Sequence, residues 1–360
     1  MTIRFEKSEL NLLALLRKKV NFYFAENKIS PFGNIELYLK TGILFGVLAL
    51  NYILQVTSVL QGFWPLTISY LLQGILFALI GFNVMHDGSH FCYSGSSKIN
   101  AIMAHSLNFL GGIALFWHQK HVVNHHTYTN LEGVDDDIDL KPFLRVHENQ
   151  KRLPFHRFQA FYALILYSFT YLFWIYYRDF KQYFSGKIAD ETQMQSLSRK
   201  DHFTFWLTKL GHAGLFIGLP CLLVGPTQAI GGYLLLGFSC GITLALVFQL
   251  AHIVEGTHFP ARNEEENYEI GAEWSLHQIQ TTVNFDTQSK VMGWLLGGLN
   301  FQMVHHLFPR ISHVHYPAIH RIICDTCKEQ NVPFVEFSSF REALFSHFRH
   351  LHQMGKPIAA

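Results

Sequence analysis

The segment Trp117–Asn130, WHQKHVVNHHTYTN, carries four histidines: His118, His121, His125 and His126. Neutral imidazole is costly to bury and the protonated form costs more, so this density needs a cause. Composition supplies part of it. With 22 histidines in 360 residues, roughly one adjacent His-His pair is expected by chance, and the chain has two, at 125–126 and 305–306. Spacing supplies the rest. His86 and His90 of HDGSH stand four apart, on one face of a helix. His118, His121 and His125 follow at i, i+3 and i+7, with His126 beside them, and Gln302, His305 and His306 of QMVHHLFP fall at i, i+3 and i+4. His252 sits in FQLAHIVEGTH between these clusters.

Gathered protonated imidazoles repel one another, so a metal that holds them neutral is the simplest reason to keep His86, His90, His121, His125, His126, His252, His305 and His306 together. Zn, Cu, Fe and Ni all suit neutral imidazole, and the ligands alone do not choose among them. Eight or nine nitrogens are too many for one ion and about right for two. A ligating histidine usually passes its other N–H to a carboxylate or carbonyl. Asp135 and Asp139 of GVDDDID are the expected partners, with Asp87 inside the first pair and Glu255 near His252 as further candidates.

The elements that must position these groups follow from the charge pattern. Hydrophobic residues make up 49% of the chain and charged residues 15%, against about a quarter charged in ordinary soluble domains. No charge occurs between Lys40 and Asp87 or between Lys209 and Glu255. Each gap is about twice the twenty or so residues that one spanning helix needs. The gaps predict two transmembrane hairpins, one turning at QGFWP (Gln61–Pro65) and one at VGPTQ (Val224–Gln228). Arg17, Lys18, Lys19, Lys40, Lys98, Lys200 and Lys209 lie on the side away from those turns, which puts that side in the cytoplasm. All the histidine clusters then share one cytoplasmic level. Residues 99–119 and 158–177 are charge-free and long enough to span, but a single crossing by either would carry the next cluster to the opposite face. Both are read as helices in, or dipping into, the interface.

The fold class expected is an all-α integral membrane protein: two hairpins (four spans), interfacial helices and a cytoplasmic helical cap over the metal site. It forms a single domain over 1–360, with an interfacial N-terminal segment (1–40), a core (41–310) and a cytoplasmic C-terminal segment (311–360). SELNLLALLRKKVNFYF (Ser8–Phe24) reads as an amphipathic surface helix, and no cleaved signal peptide is expected. Five cysteines do not suggest a disulfide framework, and CDTC (Cys324–Cys327) reads as two ordinary helix cysteines. The isolated His105, His147, His156, His202, His212, His347, His350 and His352 read as residents of the membrane boundary.

At HDGSH, HVVNHH and QMVHHLFP the chain resembles the integral-membrane fatty acid desaturases, whose three histidine boxes have the forms H-x(3–4)-H, H-x(2–3)-H-H and (H/Q)-x-x-H-H. The glutamine that opens the third box, with HHTYTNLEGVDDDIDL and HHLFPRISHVHYPAI, is similar to the front-end acyl desaturase subgroup. The resemblance runs from about residue 40 to 335. It implies a non-haem di-iron centre that uses O₂ and two electrons to remove two hydrogens from a fatty acyl chain. Its iron ligands would be His86, His90, His121, His125, His126, His305 and His306, with His252 as a further histidine and Gln302 acting directly or through a water. His118 is not assigned. The fused cytochrome b5 domain of many front-end enzymes carries His-Pro-Gly-Gly, which does not occur here. A separate electron donor, ferredoxin or cytochrome b5, is therefore expected, with RVHENQKRLPFHR (Arg145–Arg157) as a basic stretch that either docks it or meets lipid headgroups.

Unactivated methylene hydrogens are beyond any side-chain acid or base, so a metal must carry that step while the protein supplies position. Trp117, Phe248, Trp274 and Trp294 are candidate channel-lining residues. The other expected partners are the bilayer and the acyl substrate, without nucleic acid, in a bacterial inner membrane or the endoplasmic reticulum. A hydroxylase or ketolase on the same scaffold differs only in the fate of the substrate radical. A di-haem cytochrome needs histidines deep inside facing spans, and only His212 lies well within a hairpin. A metal transporter needs polar residues along the spans. The soluble desaturase pattern needs paired Glu-x-x-His, and only Glu255–His258 matches.

Overall fold

The computed structural model describes residues 2–6, 11–263, 265 and 267–357. After a short strand β1 (Ile3–Phe5), helix α1 (Leu12–Asn27) turns Leu12, Leu16 and Val20 inward and Arg17 and Lys18 outward. This is the amphipathic division expected of Ser8–Phe24, of which residues 8–10 lie outside the described part. Asn34 starts α2 (Ile35–Val56), its side chain accepting from the Leu37 amide at 3.2 Å, and the chain returns as α3 (Phe63–Ser89).

Between the charge-free stretches, α4 (Ser97–Phe109) and α5 (Ala114–His125) meet at 110°. Residues 99–119 therefore do not run straight through an apolar layer. The second ambiguous stretch forms α6 (Pro154–Ser185), 32 residues long and apolar enough to cross a membrane. Phe161, Ile165, Phe169, Phe173 and Tyr177, four residues apart, stand exposed along it as one stripe suited to lipid. After the hairpin β2 (Lys187–Ala189) and β3 (Thr192–Gln193) come α7 (Arg199–Val224) and α8 (Pro226–His252). They reverse at Gly225, whose φ of 87° favours glycine, with Pro226 at the first helical position. The described residues thus hold five membrane-capable helices, or six if the bent pair counts as one span, where four spans were expected.

The central helix α8 lies between α3 and α6. A Cβ at Gly241 would come within 2.4 Å of the Ser168 carbonyl oxygen, so only glycine permits this approach, as in other closely packed membrane helices. The lysines that bound the two charge-free gaps are not on the surface. Lys40 is buried, its Nζ 2.8 Å from Asn83 Oδ1 and 2.9 Å from the Trp294 carbonyl. Lys209 is buried with its Nζ 2.6 Å from Asp179 Oδ2. A buried ammonium needs a partner more than it needs the cytoplasm, so these two leave the tally of positive charges that sets orientation. Arg17, Lys18, Lys98 and Lys200 remain exposed.

The rest of the chain is mostly helical but not all-α. β4 (Tyr268–Ile270) pairs in parallel with β1, and α9 (Trp274–Thr281) leads into β5 (Val283–Phe285). Then follow α10 (Lys290–Leu295), α11 (Gln302–Leu307), α12 (Tyr316–Glu329), β6 (Val335–Phe337), parallel to β5, and α13 (Phe340–Gly355). Leu12, Leu16 and Val20 of α1 share an apolar cluster with Met303, Val304, Ile319 and Ile323, which seats α11 and α12 beneath the N-terminal helix. The basic stretch 145–157 serves this packing too. Arg145 is buried and donates to the carbonyls of Glu148, Gln150 and Met354, while Arg152 donates to that of Gly355. Both arginines hold the end of α13 rather than offer themselves to a partner.

Candidate metal centre

Four segments bring the predicted histidines to one place. α3 widens to a π-helical turn over Gly81–Met85 and then presents His86 and His90 from the next turn, with ring centroids 4.7 Å apart. The end of α5 is wound the same way over His118–His125. Regular α-helix would send residue i+5 to the far side. The wider turn closes i to i+5 and swings both His125 and His126 round to His121, at 5.0 and 4.9 Å between centroids. His252 ends α8, and His305 and His306 come from α11.

These side chains sort into two groups. One ring nitrogen from each of His86, His90, His121 and His305 lies within 4.8 Å of the others, and the same holds for His125, His252 and His306. His126 stands between the groups, 4.4 Å from both His305 and His306 by ring centroids. All eight are buried, and all eight Nε2 atoms lack a hydrogen-bond partner among the described residues. Burial, with the other imidazoles nearby, pushes His90, His126, His305 and His306 well below the usual histidine pKa. Neutral rings whose lone pairs face one another without a donor between them fit cations, and a donor set made wholly of imidazole nitrogens suits a pair of transition-metal ions. His118 is half-buried and belongs to neither group.

The opposite ring nitrogen is anchored in five of the eight, while His126 Nδ1 has no partner among the described residues. His125 Nδ1 lies 2.9 Å from Asp135 Oδ2, His121 Nδ1 2.9 Å from Asp137 Oδ2, and His306 Nδ1 2.8 Å from Gln278 Oε1. His252 Nδ1 meets the Thr281 carbonyl and His305 Nδ1 the Tyr316 hydroxyl, both at 3.2 Å. Asp135 thus lies against His125, but Asp139 does not reach a histidine. Its neighbour Asp137 takes that place, and Asp139 Oδ1 accepts from the Lys141 amide at 3.1 Å. Asp136–Ile138 wind as a short 3-10 turn capped by Asp135, a local geometry that spacing alone does not reveal. Asp137 would be raised by burial, yet Lys120 at 2.6 Å and His121 hold it well below the carboxylate range. Asp87 faces His313 Nδ1 at 3.0 Å and accepts from the Ser312 hydroxyl, not from the first box. Glu255 binds Arg349, Gln353 and Ser346 and turns away from His252. Gln302 is buried, with an Oε1 that has no partner among the described residues.

A cavity of about 860 Å³ opens onto this centre through His86, His121, His252 and Gln302. Its lining includes Phe77, Leu107, Leu110, Tyr171 and Phe248, together with the charged Lys120, Asp137, Lys141, Arg178 and Lys181. Of the four candidate channel residues, Trp117 and Phe248 line it. Trp117 also stacks on His121 at 4.4 Å, and Phe248 packs against His125 and His252. Trp274 instead joins the apolar cluster under α1, and Trp294 lies beneath the Lys40 ammonium. Gln278 and Tyr316 were not foreseen: Gln278 lies 28 residues before His306, and Tyr316, ten residues after it, carries no spacing signal that marks it as a partner.

The family model for fatty acid desaturases matches residues 62–338. The chain is 34% identical over 355 residues to an acyl-lipid (8-3)-desaturase of Physcomitrium patens, covering 95% of this chain and 71% of that one. It is 33% identical over 350 residues to an sn-1 linoleoyl-lipid 6-desaturase of a Synechocystis strain, with 95% of each chain covered. A protein of the same description from Arthrospira platensis is 31% identical over 343 residues, covering 94% of this chain and 91% of that one.

Proposed function

The chain belongs to the fatty acid desaturase family, and on that premise we propose that it introduces a cis double bond into an acyl chain carried on a membrane lipid, at a di-iron centre facing the cytoplasm. The lipid carrier is supported by the acyl-lipid descriptions of its relatives. The observation that carries the reading is the set of eight buried Nε2 atoms without a partner among the described residues, three of them on histidines (His86, His121 and His252) that line a largely apolar cavity.

One iron would be held by His86, His90, His121 and His305 and the other by His125, His252 and His306, with His126 between them and Gln302 beside them. When bound, the pair supplies the O₂ and electron chemistry needed to break unactivated C–H bonds. The protein's own residues do the positioning. Asp135, Asp137 and Gln278 accept the Nδ1 protons of His125, His121 and His306, which fixes the tautomer and keeps each Nε2 lone pair free. Phe77, Leu110 and Tyr171 exclude water from the acyl chain, and Trp117 and Phe248 press against it beside the ligands. Of the cationic groups in the lining, Lys141, Arg178 and Lys181 suit the polar end of a lipid. Electrons come from a separate donor, ferredoxin or cytochrome b5.

The test is expression in a host fed defined saturated and unsaturated acids, with lipid profiling. A new double bond that disappears in His306→Ala is the expected result. An inserted oxygen, or a product that survives this change, would overturn it.

A further inference from the structure

A second convergence of metal-binding side chains lies away from the histidine boxes. His320 and Cys324 stand one turn apart on α12, and Glu336 comes from β6. Glu336 Oε2 is 3.0 Å from His320 Nε2, and Cys324 Sγ is 3.2 Å from the same nitrogen. One ring nitrogen cannot serve both. If Nε2 carries a proton and donates it to Glu336, the thiol meets a nitrogen with no lone pair. If the thiol donates to a bare Nε2, the carboxylate faces that lone pair. A cation between the three atoms satisfies all of them at once.

We infer that His320, Cys324 and Glu336 form a zinc site separate from the di-iron centre. Imidazole, thiolate and carboxylate are characteristic zinc ligands, and their bond lengths place tetrahedral neighbours about 3.4–3.6 Å apart. The two separations from His320 need to open by only a few tenths of an ångström, and the three ligand atoms all lie within 4.8 Å of one another. His320 and Cys324 are buried, whereas the Glu336 side chain is 26% exposed, which leaves a fourth position to water. Thr287 Oγ1 donates to the other Glu336 oxygen at 2.5 Å. The site therefore ties α12, β6 and the turn after β5 together. β5 in turn holds the third box, since Asn284 Oδ1 accepts from the Met303 amide at 3.0 Å. Its role is a brace. Cys327, the other cysteine of the C-x-x-C, is fully buried and outside this ligand group.

The experiment uses the full chain purified in detergent from cells supplied with iron and zinc. Elemental analysis is expected to give one zinc per chain beyond the iron. Zinc-edge X-ray absorption is expected to show a single sulfur neighbour at about 2.3 Å. That sulfur separates this site from zinc misplaced among the histidine boxes, whose ligands are all nitrogen. Cys324→Ser and His320→Gln should lower zinc at least tenfold and leave iron unchanged, while Cys327→Ala should keep both. Absence of zinc, a zinc shell without sulfur, or full zinc in Cys324→Ser would overturn the inference. The wild-type spectrum decides even if a variant fails to accumulate.

Discussion

His347 in the C-terminal helix and His306 at the centre are both fully buried, yet their rings are in opposite situations. His347 is bonded at both nitrogens, Nδ1 to the Ile253 carbonyl at 2.6 Å and Nε2 to the Tyr167 hydroxyl at 2.8 Å. Among the described residues His306 is bonded at Nδ1 alone. The same contrast separates His212, paired with the Phe109 carbonyl and the Tyr233 hydroxyl, and His156, paired with the Leu153 amide and the Pro142 carbonyl, from the box residues. Burial does not mark a ligand. A buried nitrogen left without a partner among the described residues, next to others like it, marks a candidate one.

Removing a ligand should break the contrast most severely. His125→Ala or His306→Ala is expected to reduce double-bond formation more than 100-fold, on the order seen when a catalytic group is lost, and to lower bound iron while membrane insertion persists. Lipid analysis, elemental analysis and membrane fractionation check these outcomes. Asp135→Asn and Asp137→Asn leave the ligands in place but remove the acceptors of their Nδ1 protons. A loss of about 10–100-fold in iron affinity or activity is expected. Asp139→Asn, one turn away but without a histidine, should stay within about twofold in the same iron titration. If Asp139→Asn matched Asp135→Asn, acidic charge rather than contact would be the cause.

The other side of the comparison is stability. His347→Phe leaves the Tyr167 hydroxyl and the Ile253 carbonyl unpaired and should cost about 1–3 kcal/mol in detergent unfolding, with no direct loss of an iron ligand. Burial lowers the His347 pKa from 6.5 to about 4, so the unfolded chain takes up a proton in this window and the folded one does not. Stability should therefore fall as pH drops from about 6.5 towards 4, and the slope should lessen in His347→Phe. Glu255→Gln, at the surface with Arg349, should be the mildest change, about 1 kcal/mol or less, with iron unaffected.

The helical character and the eight candidate ligands were legible because a charge-free run and a box of histidines are both local signals. What completed the site was not local. The π-helical winding that turns His126 toward His121 has no marker in HVVNHH. Choosing Asp137 over Asp139 depended on a tight turn, and Gln278 reaches His306 from 28 residues away. Lys40 and Lys209 looked like surface charges because their partners, Asn83 and Asp179, come from other helices. Residues 158–177 remained ambiguous because aromatic residues at an interface and along a lipid-facing stripe look alike in sequence.

The C-terminal part of the chain gives this architecture an order in time. His252 is backed by the contact between the Ile253 carbonyl and His347, and the third box hangs from β5, which pairs with β6 at Val335–Phe337. The membrane-capable helices all end by His252, so they are synthesised before those residues. On the proposed function the early histidines would wait without their later counterparts, iron would load only into a finished polypeptide, and a message truncated near its end would yield a metal-poor protein.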